Sequence, residues 1–248
     1  MNAFYQFLLL SMVAMLVSAG CAGRGSKDSS NKSAFKPLSE AEAKVYITPT
    51  IYYVPQFDLT QQSCDQISQK KIKNRNGDVL FSVCAEIYNS CLLQGTCEIR
   101  NEKERAIINV ADVVNSEYRF KKVDDKICRY GFGGGREICL DPFHSVAADL
   151  SIYKFGQVIY IPDVVGLVLP DGSKHDGYFI IRDSGGAIKG YGRFDFFTGF
   201  LSNNKSKNPF AQIGFSGKET HVLYYVITGE ETARILKKRS FPNLNVSN

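Results

Sequence analysis

The first twenty residues carry no charged side chain. The apolar run within them, residues 7–17 (FLLLSMVAMLV), is eleven residues long, against about 20 for a helix crossing a ~30 Å hydrocarbon core. That excludes a spanning helix there and fits a signal-peptide h-region, so residues 1–20 are expected to be a signal peptide. The segment before it lacks Lys and Arg, leaving the α-amino group as its positive charge. No Lys/Arg block interleaves with aromatics, which argues against a nucleic-acid partner. Neither HExxH nor GxSxG occurs, which speaks against metalloprotease and serine-hydrolase chemistry. No two cysteines form a CxxC pair, so zinc ligation is a poor reading and neither metal nor cofactor is expected. The glycine run at 131–135 lacks a following Gly-Lys-Ser/Thr and is read as a flexible loop, not a phosphate cradle. No repeat of fixed period is present. His144, His175 and His221 are isolated in sequence, and none is expected to be a ligand or a catalytic group.

What is present points to an exported protein. Net charge is +5, all of it beyond residue 20, which favours anionic partners such as a wall polymer or a membrane surface. Leu16-Val-Ser-Ala-Gly-Cys21 ends in small residues before a cysteine. It resembles the lipobox of bacterial lipoproteins, which implies a lipid on Cys21 that attaches the chain to a membrane. The competing reading is simple cleavage after Gly20, with Cys21 left as a thiol. Of seven cysteines, lipidation leaves Cys64, Cys84, Cys91, Cys97, Cys128 and Cys139, an even set that fits three disulfides in an oxidising compartment. Six cysteines allow 15 pairings, and the sequence does not choose among them. Residues 22–43 are rich in Ser, Lys and Gly and read as a tether, too poor in apolar surface to offset its ordering entropy. About 200 residues remain, the size of one domain.

From residue 45 onward, short segments rich in β-branched and aromatic residues alternate with Gly, Pro, Asp and Asn, the signature of strands. They are residues 45–54, broken by Pro49, then 157–161, 164–169, 178–182, 193–197 and 221–227. Many short strands in one domain imply a barrel or sandwich. Residues 61–139 hold all six paired cysteines and much charge. They read as an insertion, partly helical or hairpin, stapled to the barrel by disulfides, with a turn at Asn76-Gly77-Asp78. Residues 229–239 place acids early and bases late, as a short helix prefers.

The chemistry concentrates in Asp183-Ser-Gly-Gly-Ala-Ile-Lys-Gly190 followed by Arg193-Phe-Asp-Phe-Phe197. Locally this is a strand end, a glycine turn and a second strand. Alternation puts Phe194 and Phe196 on one face and Arg193, Asp195 and Phe197 on the other. Asp is disfavoured inside strands, so Asp195 stands out. Desolvation and the charge of Asp183 would raise its pKa, as a general acid requires, while Arg193 would lower it. Taken alone, Asp183 and Asp149 are also ordinary turn-capping residues.

This stretch resembles the 3D (three-aspartate) domain family, shared by membrane-bound lytic transglycosylase A and related muralytic proteins. The family carries Asp-Thr/Val-Gly-Gly-Ala-Ile-Lys-Gly and a further aspartate some eleven residues after the first; here the interval from Asp183 to Asp195 is twelve. The third aspartate corresponds to Asp149 in residues 144–156, where Leu150, Lys154 and Phe155 depart from the pattern. Tyr46-Ile-Thr-Pro-Thr50 resembles the family's first strand. The resemblance implies a mainly β fold, a double-psi β-barrel. It also implies cleavage of peptidoglycan glycan strands between N-acetylmuramic acid and N-acetylglucosamine. Asp195 would protonate the glycosidic oxygen, Asp183 and Asp149 would tune and position it, and the muramic 6-hydroxyl would close on C1 to a 1,6-anhydro product. Substrate would lie over Gly185, Gly186 and Lys189. The organisation expected is a signal peptide (1–20), a lipidated N-terminus and tether (21–43), a barrel domain (44–235) with a cysteine-rich insertion at about 61–139, and a tail (236–248). The location expected is the cell envelope, at the periplasmic face of an outer membrane where the host has one. The alternatives are a non-catalytic wall-binding lipoprotein and a hydrolytic glycosidase.

Overall fold

The computed structural model describes residues 35–36, 46–134, 136–218 and 220–244. The expected signal peptide and Cys21 lie outside the described residues, and of the tether only Phe35–Lys36 is described, as a two-residue strand. Among the described residues no helix is long and apolar enough to cross a membrane.

The first described elements are β1 (Phe35–Lys36) and β2 (Thr48–Tyr52). An accessory layer follows: β3 (Gln56–Asp58), β4 (Gln69–Lys73), β5 (Val79–Cys84), α1 (Ala85–Gln94), β6 (Thr96–Arg100), β7 (Arg105–Val114) and β8 (Glu117–Val123). The chain returns through β9 (Phe132–Gly133), β10 (Ile138–Cys139), β11 (Ser145–Ala147), β12 (Val158–Tyr160), β13 (Tyr178–Asp183) and β14 (Arg193–Phe197). It ends with α2 (Pro209–Gln212), β15 (Tyr225–Ile227) and α3 (Glu230–Lys238).

The main sheet has the order β1-β15-β12-β13-β11-β14-β2. Two of its neighbouring pairs are parallel, β11 with β13 and β14 with β2. Parallel neighbours need a crossover, and the one from β2 to β14 contains the whole accessory layer. The ladder itself does not close. An isolated bridge, Tyr46 to Leu223, and the Ile47 N–H to Val222 carbonyl bond (3.2 Å) join the segment before β2 to the segment before β15. Pro49 does not break β2, because β2 is the end strand of the ladder, where a missing N–H is tolerated.

The alternation read in β14 is the alternation observed. Phe194 and Phe196 are fully buried and pack with Phe179, Phe210 and Phe215. Phe197 joins a separate cluster with Tyr52, Ala147 and Ile188 on the opposite face. The accessory layer has a core of its own, built on Ile72, Phe81, Val83, Ile87, Ile99, Ile108 and Phe120. A core this small benefits from covalent closure, and the cysteines supply it.

The pairs are Cys64–Cys84, Cys91–Cys97 and Cys128–Cys139, with Cα separations of 5.8, 5.1 and 5.1 Å. Every pair lies within residues 61–139, so the expectation of disulfides stapling the insertion to the barrel is corrected. They close loops of sequence neighbours: Cys91–Cys97 clamps α1 to β6, and Cys64–Cys84 ties the end of β5 to the segment before β4. The expected turn at Asn76-Gly77-Asp78 is present, with Gly77 at φ +94° between β4 and β5. Residues 164–169 are not a strand. Pro162–Val164 is a 3-10 turn, Gly166 has φ +82°, and only Val168 forms a bridge, to Lys174. The expected boundary at 235/236 falls inside α3. Beyond α3, wholly buried Arg182 donates to the carbonyls of Arg239 (2.8 Å) and Pro242 (2.9 Å), and also to that of Cys139 (2.9 Å).

Candidate active site

The site begins as a row of residues across four strands. Ala147 of β11 is in register with Asp183 of β13 on one side and Asp195 of β14 on the other, and Asp195 is in register with Thr50 of β2. Residues in register on neighbouring strands project to the same face, and strands lie about 4.8 Å apart. The two aspartate backbones are therefore about 10 Å apart, with the small side chain of Ala147 leaving room between them. All three line a cleft of about 370 Å³. The glycine turn, with Gly185 and Gly186, forms one rim. The accessory layer supplies the facing wall through Gln94, Gly95, Thr96 and Asn109.

Asp195 accepts a hydrogen bond from Thr50 Oγ1 at 2.5 Å. Thr50 Oγ1 in turn accepts from Arg193 Nη1 at 2.8 Å, and Arg193 also donates to the carbonyls of Thr48 and Phe194. The guanidinium thus reaches the carboxylate through one hydroxyl. Burial pushes the Asp195 carboxyl above its ordinary range, while Thr50 and Arg193 pull it down and do not win. This resolves the balance between desolvation and Arg193 in favour of desolvation.

Asp183 is pushed up to about 6, first by burial. The backbone N–H groups of Ser184 and Gly134 and the Tyr52 phenol hold it down, and the charge of Asp195 raises it. The Ser184 N–H donates at 2.7 Å. Tyr52 is buried and completes no hydrogen bond of good geometry, though Asp183 is the carboxyl acting on it most strongly. The cleft therefore holds two carboxyl groups that both resist ionisation.

Asp149 has a different place. Its Oδ1 accepts from Ser151 N (3.1 Å) and Ser151 Oγ (2.8 Å), and its Oδ2 accepts from Gly190 N (2.9 Å). These donors, led by Gly190, hold it down at about 2. It is not among the residues lining the cleft. The structure brings Asp183 and Asp195 together and sets Asp149 behind the glycine turn, tying down its far end. Lys189 is exposed, lies 3.7 Å from Asp149, and does not line the cleft.

Several residues at the site were not singled out from the sequence. Thr50 and Tyr52 were seen only as part of a strand, and Thr96 and Asn109 only as part of the insertion. Asn109 donates to Thr96 Oγ1 (2.8 Å) and the Phe132 carbonyl (2.9 Å) and accepts from Phe132 N (3.0 Å), so it buckles the accessory layer to the 131–134 segment. That segment corrects the flexible-loop reading. A Cβ on Gly133 would sit 2.1 Å from the Arg182 carbonyl oxygen, and one on Gly134 would sit 3.3 Å from Asp183 Oδ1. The glycines allow backbone to approach Asp183 closely; the run itself was the available signal.

The described residues hold one group with metal-ligand chemistry, His144, His175 and Asp176. The two rings stack with centroids 4.5 Å apart. Both His175 nitrogens are already used, Nε2 with the Phe143 carbonyl (2.7 Å) and Nδ1 with the Gly177 N–H (2.8 Å). Asp176 is bound by Lys238 and Arg239. Burial depresses His175 to about 4. The group is a satisfied core network.

Residues 144–209, which contain Asp149, Asp183 and Asp195, match the 3D domain. The chain carries a 3D domain. No curated protein matches it. Among solved structures, it is similar to E. coli MltA with bound chitohexaose at 15% identity and TM-score 0.49, covering 73% of this chain and 71% of that one. A membrane-bound lytic murein transglycosylase from Agrobacterium tumefaciens gives 13% identity and TM-score 0.49 over 78% and 77%. LtgG, a lytic transglycosylase of Burkholderia pseudomallei, gives 13% and 0.37 over 72% of each chain.

Proposed function

We propose that this 3D-domain protein is a lytic transglycosylase of peptidoglycan, cleaving the MurNAc–GlcNAc bond with Asp195 as general acid and then base. The observation that carries the reading is a half-buried carboxyl, kept up by desolvation, opening onto a cleft beside a second carboxyl. A protonated Asp195 can donate to the glycosidic oxygen as the leaving group departs. The resulting carboxylate is then hydrogen-bonded by Thr50 and can accept the proton of the muramic 6-hydroxyl as that oxygen closes on C1. No water needs to be held opposite the acid, so a single carboxyl serves both steps, unlike an inverting hydrolase. Asp183, whose pKa stands well above the ordinary range, adds little negative charge while protonated and more as pH rises. Asp149 acts as a positioning residue by holding the turn that carries Gly185 and Gly186. Lys189 is left as a contact for substrate outside the cleft.

The same reading takes the main sheet as a double-psi barrel. Its support is the two parallel pairs and the Tyr46–Leu223 bridge. Lipid on Cys21 behind a cleaved signal would keep the enzyme at the envelope, facing its polymer.

Purified wall digested by the wild type is expected to release soluble 1,6-anhydro muropeptides, identified by mass, while Asp195→Asn still binds wall and releases none. Reducing-end sugars would instead mark a hydrolase. Binding without any soluble product from the wild type would mark a wall-binding protein.

A further inference from the structure

The carboxyl-bearing cleft does not stand alone. Asn109, Val110, Ala111 and Phe132 line both this cleft and a second cavity of about 550 Å³. The two cavities are neighbours, sharing these residues of β7 and Phe132 in their walls. Their electrostatic characters are opposite. The second cavity is lined by Arg75, Lys121, Lys122 and Arg136 against the lone carboxylate of Glu137.

Three of these cations are already paired. Arg75 meets Asp112 at 2.6 Å, Lys122 meets Glu104 at 2.6 Å, and Lys121 meets Glu137 at 3.0 Å. For Arg136 no ion pair is found among the described residues. Its guanidinium lies 4.7 Å from the centre of the Phe155 ring. A ring contact restrains an arginine while leaving its fork of N–H donors able to grip a carboxylate by two bonds. Lys121 Nζ sits 4.4 Å from the Phe132 ring centre, at the wall the two cavities share, and adds positive field there. Arg136 also stands two residues from Gly134, whose backbone runs close to Asp183: a Cβ there would sit 3.3 Å from Asp183 Oδ1. The same segment thus borders Asp183 and presents a cation with no ion pair among the described residues.

We propose that the second cavity is a subsite for a carboxylate-bearing peptide branch of the glycan strand, with Arg136 as the group that takes the carboxylate. The proposal rests on the glycan-cleaving reading, because the anion must be carried by the polymer whose sugars occupy the first cavity. The opposite character of the two cavities then fixes the direction in which a branched strand lies across them.

The test uses wall-derived glycan fragments in two forms, with peptide branches intact and with the branches removed by an amidase, which leaves the lactyl carboxylate on the sugar and takes away the carboxylates of the peptide. Calorimetry on the wild-type chain is expected to show the intact form binding about tenfold more tightly, the scale of one charge-assisted hydrogen-bonded pair. That ratio is expected to fall toward one in Arg136→Ala, to invert in Arg136→Glu, and to shrink as salt rises from ~0.05 to ~0.5 M. Arg136 is exposed, and circular dichroism verifies that both variants fold. Equal binding of the two forms by the wild type overturns the proposal, as does a ratio that survives Arg136→Ala. Product release is read separately. A wild type that shows the binding ratio but forms no anhydro product refutes the catalytic reading and leaves the subsite standing. One that cleaves and binds both forms equally refutes the subsite alone, and one that binds neither refutes both.

Discussion

Asp183→Asn removes a carboxyl whose burial the folded state tolerates poorly, and the cost can be worked out. Folding raises this group from 3.8 to about 6, so the folded chain holds its proton more tightly than the unfolded chain. The associated stability is fully present below about pH 4 and is lost as pH rises to about 6. Above that the penalty is constant. At about 1.4 kcal/mol per pKa unit it amounts to about 3 kcal/mol at most, and to about 1–3 kcal/mol once screening through the open cleft is allowed for. Asparagine has the same shape, cannot ionise, and keeps an oxygen for the Ser184 N–H group. Its carbonyl avoids the penalty entirely. The variant is therefore expected to be more stable than the wild type at pH 7–8 and equal to it at pH 4. A domain of this size gains about 2–4 °C in Tm per kcal/mol, so a rise of several degrees is expected. Thermal and urea unfolding under non-reducing conditions, run at pH 4, 6 and 8, measure it. A gain that is the same at all three values, or a loss at pH 8, would refute the reasoning, because neither follows from a carboxyl held up by burial.

Thr50→Ala removes the bond that holds the Asp195 carboxylate down, so the alkaline limb of the kcat/KM profile on wall substrate is expected to move to higher pH; a limb that stays put or moves down contradicts the assignment. Asp149→Ala removes the acceptor of the Gly190 and Ser151 donors, which is expected to lower the urea midpoint modestly and to speed tryptic cleavage after exposed Lys189. Gly133→Ala forces a methyl group into the Arg182 backbone and is expected to lower Tm by an overpacking cost of about 1–3 kcal/mol or more. Gly186→Ala, with open space at its Cβ, serves as the neutral control.

Features that depend on a few neighbouring residues were legible in the sequence. The two faces of β14 follow from strict alternation over Arg193–Phe197, and the Phe faces of that strand could go nowhere but a core. The Asn76-Gly77 turn and α3 are local in the same sense. The cysteines turned out local too, each bonded to the next in sequence, but spacing alone left them among equals because pairing is a matter of where the side chains point. Residues 164–169 were misread for a physical reason: a short apolar run looks alike whether it pairs or merely covers a core, and the 3-10 turn at Pro162 together with Gly166 decided against pairing.

The tertiary structure decided everything that joins distant segments. Register alone places Ala147 between Asp183 and Asp195 and brings Thr50 from 145 residues away to bond the second of them. The sequence marked three aspartates without separating their tasks. Folding sets two half-buried in a cleft, where desolvation opposes their charge, and surrounds the third with donors that favour it. The facing wall comes from an insertion whose charges read as a solvated elaboration, because nothing in Asn109 or Gln94 announces that they border another layer. A pattern can say which side chains share a strand face, but the field that sets a carboxyl's protonation is summed over neighbours that only the folded chain assembles.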